Sequence, residues 1–186
     1  TMISCHLKGI SVQNGKLEPP FLPRIGVVMK GNATLQSVNW YGKGFGENYI
    51  DSSHSTHMGI YHADVEGMNT NYVFPQENGH REGVKWFSLG DDSHSLLVQS
   101  EFPIGINIHN YTAENLECAT HPHEIKKSDA VIIHLDYKHS GIGSNSCGQE
   151  QLECYKTKRE DFSLCFNMQV VPKGFELSQT KKIYMD

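Results

Sequence analysis

No apolar run in this 186-residue chain approaches the length of about 20 residues needed to cross a bilayer, and Thr1 to Cys5 lack the layout of a secretion signal. A soluble protein without membrane insertion is expected. Basic runs and aromatic-basic stripes are missing too. With 16 Lys and Arg against 21 Asp and Glu the net charge is −5, which argues against nucleic acid as a partner. Cysteine is sparse: Cys5, Cys118, Cys147, Cys154 and Cys165 fit no metal spacing, and their odd number leaves at least one thiol free or bonded to another chain. Helical signal is nearly absent. Only Thr112 to about Ala119 reads as a helix, with Thr112 as N-cap and Glu114 in its favourable first turn.

What remains is strand. Ile3, Cys5 and Leu7 alternate with polar residues, as do Ile25, Val27 and Met29, then Val38 and Trp40. Val84 to Leu89, Leu96 to Gln99, Ile104 to His109, the strongly apolar Ala130 to Tyr137, and Ser163 to Val171 follow, separated by turn residues. About nine to eleven strands at this spacing make an all-β, antiparallel β-sandwich with one short helix. Residues 1–171 are expected to form a single domain, with 172–186 a tail or an edge strand.

The most informative stretch runs from Val38 to Asp51. Gly42, Gly44 and Gly46 permit turns and close approaches, and the loop then presents Glu47, Asn48, Tyr49 and Asp51. No helix-forming segment and no Gly-Lys-Ser ending follow, so this is not a phosphate loop. A second polar segment, Pro75 to Arg81, carries Gln76, Glu77 and Asn78. Planar Trp40, Tyr41, Tyr49 or Trp86 could cover the apolar face of a hexose, and Glu47, Asn48, Gln76, Glu77, Asn78 and Arg81 could read its hydroxyls. The bland alternative is that the tryptophans are core and that Glu47 and Asp51 pair with Arg24 or Lys43.

Other candidates are weaker. His57 and His62 are five apart with no regular element to align them, His121-Pro-His123 suggests no third ligand, and Asp91-Asp92 reads as a solvated turn. No metal ligand is assigned, and no cofactor is required; a calcium ion assisting a bound sugar is compatible with the sequence.

Four segments together resemble the C-terminal, small-chain domain of family 2 glycoside hydrolase β-galactosidases: Leu22-Pro-Arg-Ile-Gly26, Val38 to Asp51, Tyr72 to Trp86, and Gly141-Ile-Gly-Ser-Asn-Ser-Cys-Gly148. The resemblance covers about residues 1–171 and implies a galactose-mutarotase-like supersandwich. It also implies that the 141–148 loop reaches towards an active site, which adds His139, Asn145 and Cys147 as sugar-binding candidates. Many members carry a sugar-stacking tryptophan where this chain has Cys147, and the family usually has Arg and Pro in place of Lys43 and Phe45. The family's catalytic carboxylate pair lies in a barrel domain with no counterpart in these residues.

Glycoside hydrolysis needs two carboxyl groups across the scissile bond, one of them held protonated. The resemblance places that pair elsewhere, so this chain alone is not expected to be an enzyme. Two readings follow. The preferred one is a stand-alone, lectin-like protein selective for galactose or β-galactosides, secreted, and forming a homodimer through an uncovered sheet edge. The alternative is a fragment or small subunit of a cytoplasmic β-galactosidase, inactive alone and partnered by a large catalytic chain.

Overall fold

A computed structural model describes residues 1–12, 21–143 and 151–175. Eight antiparallel strands form one branched sheet: β1 (Met2–Gly9), β2 (Arg24–Asn32), β3 (Ser37–Gly44), β4 (His57–Asp64), β5 (Arg81–Gly90), β6 (His94–His109), β7 (Ala130–His139) and β8 (Phe162–Pro172). One helix, α1 (Ala113–Glu117), follows β6. Thr112 caps it as expected, its hydroxyl accepting from the Asn115 N–H while Asn115 answers the Thr112 N–H.

The branch point is β6. Along its first half, His94 to Ser100, it pairs with β8, and β8 in turn with β1. Along its second half, Gly105 to His109, it pairs with β7, and β7 with β2. The break between them is the exposed Glu101-Phe102-Pro103, where proline cannot donate to a ladder. The other side of β6 pairs with β5, and the sheet continues through β3 to β4. Both arms feed one core, with Leu164 and Phe166 from β8 and Val131, Ile133 and Leu135 from β7 packing with Trp40, Val84 and Phe87. Fully burying each such side chain stabilises the fold by about 1.5–3 kcal/mol.

Two expectations need correcting. The segments 96–99 and 104–109 are a single bent strand rather than two, which is one reason the described strands number eight. The histidine-rich stretch after Ser52 is not irregular, because His57 and His62 lie on β4. Strand side chains alternate, so residues five apart face opposite ways and do not share a ligand. Asp91 behaves as expected, closing a turn by accepting from the Ser93 and His94 N–H groups. The chain turns after Pro172, where Lys173 N–H donates to Ser93. An edge strand over 176–186 lies outside the described residues.

Candidate functional site

Strand alternation gives β6 two buried faces. Ile104, Ile106 and Ile108 enter the apolar core, while Gly105, Asn107 and His109, on the other face, are equally buried. On the neighbouring strands Asp136 pairs in register with Gly105, His134 with Asn107, and Gly26 with Asp136. Over this polar face lie the loops that contain Tyr49 and residues 76–80. Gly105 is required by the close approach, since a Cβ there would stand 2.3 Å from the His80 ring.

Asp136 and Asn107 anchor the cluster. Arg24 Nε donates to Asp136 Oδ1 at 3.1 Å and its Nη2 to both Asp136 Oδ2 and Asn107 Oδ1. His80, wholly buried, donates Nδ1 to Asn107 Oδ1 at 2.6 Å and Nε2 to Glu82 Oε1 at 3.1 Å. Two oxygens facing the two ring nitrogens select the imidazolium. Burial alone would lower the His80 pKa, but Glu82 and Asp136 raise it above its usual value. Asn107 Nδ2 donates to Glu77 Oε1 and to the Asn78 carbonyl, each at 2.8 Å.

His109 is the opposite case. Its Nδ1 donates to Asn69 at 2.7 Å while Nε2 faces the Asn107 amide, so the ring fits as the neutral tautomer. Burial lowers its pKa to about 4, and burial beside Arg24 lowers His134 likewise to about 4.

Glu77 is where this cluster opens to solvent. Its side chain is 38% exposed and that of Arg24 21%, at 3.7 Å from each other. Partial burial pushes the Glu77 carboxyl up, but His139, whose Nε2 stands at 3.7 Å, and Arg24 hold it down to about 2. It is therefore a fixed carboxylate able to accept hydrogen bonds, and it is unsuited to the general acid that glycoside hydrolysis needs. The Tyr49 hydroxyl donates to the same carboxylate at 3.4 Å, and Tyr49 stacks on His80 and meets the edge of His139, with ring centroids 5.2 Å apart in both pairs.

The sugar-binding candidates thus separate. Glu77 and His139 converge with Arg24 and Tyr49, but Tyr49 is fully buried against His80 and His139 and so cannot cover the face of a hexose. Asn78 joins through its carbonyl, while its side chain is buried against Tyr111. Glu47 braces a loop, accepting from the Tyr72 hydroxyl and from Gly79 N–H. Buried Asn48 does the same through Glu82 N–H and the Gly46 carbonyl. Trp40 is fully buried, its N–H donating to the Lys43 carbonyl, with the Arg81 guanidinium 5.4 Å from its ring. Arg81 is itself buried, donating to the Gly79 and His80 carbonyls, and burial lowers its pKa to about 10. Tyr41 faces away from Trp40 and pairs with Trp86, and Gln76 is exposed. Asn145 and Cys147 lie outside the described residues, but the start of their loop is held: Gly143 N–H donates to Asp51 Oδ2 at 2.9 Å, and a Cβ on Gly141 would stand 2.5 Å from the Asp51 carboxyl carbon. Neither Glu47 nor Asp51 pairs with Arg24 or Lys43, because Arg24 serves Asp136 and Lys43 donates to Ser53.

Sequence reasoning missed Asp136, Asn107, His80 and His109. No local signal marks them, since Asn107 and His109 alternate with isoleucines as the solvent face of a strand would. Among the described residues no group of three His, Cys, Asp or Glu side chains could hold a metal ion.

Comparison with known proteins bears on what this domain belongs to. Residues 3–168 match the family described as β-galactosidase small chain. The β-galactosidase of Actinobacillus pleuropneumoniae is 35% identical over 162 residues, 86% of this chain but 16% of the relative. That of Arthrobacter sp. (strain B7) is 34% identical over 69% of this chain and 13% of its own length, and that of Kluyveromyces lactis 30% identical over 83% and 15%. The chain spans only 13–16% of the length of these curated relatives. These findings support the β-galactosidase alternative better than the lectin reading, for which nothing in them speaks. The chain belongs to the β-galactosidase small-chain family.

Proposed function

We propose that this chain is a non-catalytic domain of a β-galactosidase, inactive alone, that completes an active site built by a larger catalytic portion. The family match over residues 3–168 carries the reading. The geometry supports it: Asp51 fixes the start of the 141–148 loop, and the half-exposed Glu77, with Tyr49 and His139 around it, forms a preorganised acceptor for hydroxyl groups. Preorganisation matters because donors and acceptors locked before binding cost no reorganisation when the sugar arrives. Glu77, held ionised, would accept from galactosyl or acceptor hydroxyls, and the bond-breaking carboxylates come from the larger portion. Within this reading the protein functions in the cytoplasm with a large β-galactosidase chain or segment.

Calorimetric titration of the isolated chain with galactose, lactose and glucose, with release of monosaccharide followed in parallel, tests this. Neither saturable binding nor hydrolysis is expected. Saturable galactose and lactose binding without hydrolysis would overturn the proposal in favour of the lectin reading, and hydrolysis by the chain alone would overturn both.

A further inference from the structure

Val73 and Phe74 are 90% and 65% exposed, side by side, on a loop that is not free to hide them. On one flank Tyr72 donates its hydroxyl to Glu47 and Thr70 N–H donates to Asn78 at 3.1 Å. On the other, Pro75 is buried and Gly79 N–H donates to Glu47 Oε2 at 2.8 Å. Two large apolar side chains held outward by a clamped backbone are a knob awaiting a socket, since an unconstrained loop would fold them against the surface.

Resting on the domain reading above, we infer that Val73 and Phe74 form the apolar anchor by which this domain docks against the larger catalytic portion. Two observations choose that occupant. The relatives carry this region as 13–16% of a single longer chain, so most of the surface it meets is outside these residues. The knob is also continuous with the proposed site. Glu47, which clamps it, belongs to the same loop as Asp51, which holds Gly143 and the start of the active-site-directed segment. A second copy fits less well. A two-fold contact must receive its own knob, and the described cavity beside it mixes polar Asn69, Asn110 and Lys127 with apolar Leu116, Pro122 and Ile125 rather than offering a wholly apolar socket.

The test is association, by sedimentation, of the full chain with the Actinobacillus pleuropneumoniae β-galactosidase from which its own matching segment has been deleted. The double variant V73S/F74S is compared with V170S, which removes an apolar residue 66% exposed on β8. The expected result is binding weakened about tenfold or more by V73S/F74S, wild-type binding by V170S, and an unchanged melting temperature for both. Wild-type binding by V73S/F74S would overturn the inference and leave the domain reading standing. Failure of the unmodified chain to associate at all would overturn the domain reading and the inference with it. Self-association of the unmodified chain that V73S/F74S abolishes would replace the inferred occupant with a second copy.

Discussion

The two faces of β6 are buried alike but held by different physics. Ile104, Ile106 and Ile108 are stabilised by apolar packing, which is non-directional and tolerates small changes of shape. Gly105, Asn107 and His109 stand on a face where each polar atom depends on a named partner: Asn107 alone connects Arg24, His80, Glu77 and Asn78. Such a network fixes one arrangement, and one lost member leaves several buried groups unpaired. The apolar face makes the fold, and the polar face makes a shaped, charged surface that ends at Glu77.

The widest gap between the faces is expected at Asp136. Asp136→Ala leaves the Arg24 guanidinium and the His80 imidazolium without their shared carboxylate and should cost about 3–5 kcal/mol, measured by urea unfolding. A cost no greater than that of an ordinary surface substitution would break the comparison.

Acid should act on the polar face only. His109 and His134 have folded pKa values near 4, below the unfolded value of about 6.5, so the unfolded state binds protons first. Their contribution is complete above about pH 6.5 and lost as pH falls towards 4, at up to about 1.4 kcal/mol per pH unit for each imidazole. His80, raised instead, contributes fully below about pH 6.5 and weakens only as pH rises through its folded value, so it does not offset this slope. His109→Gln should flatten the dependence, read from unfolding midpoints between pH 7 and 4. The smallest effect belongs to the apolar face, where Ile106→Val should cost about 0.5–1.5 kcal/mol with the same pH slope as wild type.

The same contrast explains what could be read from the sequence. Alternating isoleucines show which residues of β6 are core, and Thr112 with Glu114 marks the α-helix seen among the described residues, because these signals are local. That Asn107, His109 and Asp136 are buried is invisible locally, since polar residues on a strand read as its solvent face until another layer covers them. The loops that supply that layer, with Tyr49 and His80, come from distant sequence. Glu77 stands out in the sequence only as one polar residue among several, and its partners Arg24, Asn107 and His139 are brought together only by the register of β2, β6 and β7. Trp40 lies in the core because β3 alternates a buried face, Val38-Trp40-Gly42-Gly44, with a half-exposed one.

The central claim is that this domain works only as part of a β-galactosidase. It is tested most directly by lactose hydrolysis in the Actinobacillus pleuropneumoniae enzyme whose matching segment is replaced by residues 3–168 of this chain. The account predicts that the hybrid hydrolyses lactose while the chain alone and the segment-deleted enzyme do not. A folded hybrid without activity, beside an isolated chain that binds galactose by itself, would contradict it.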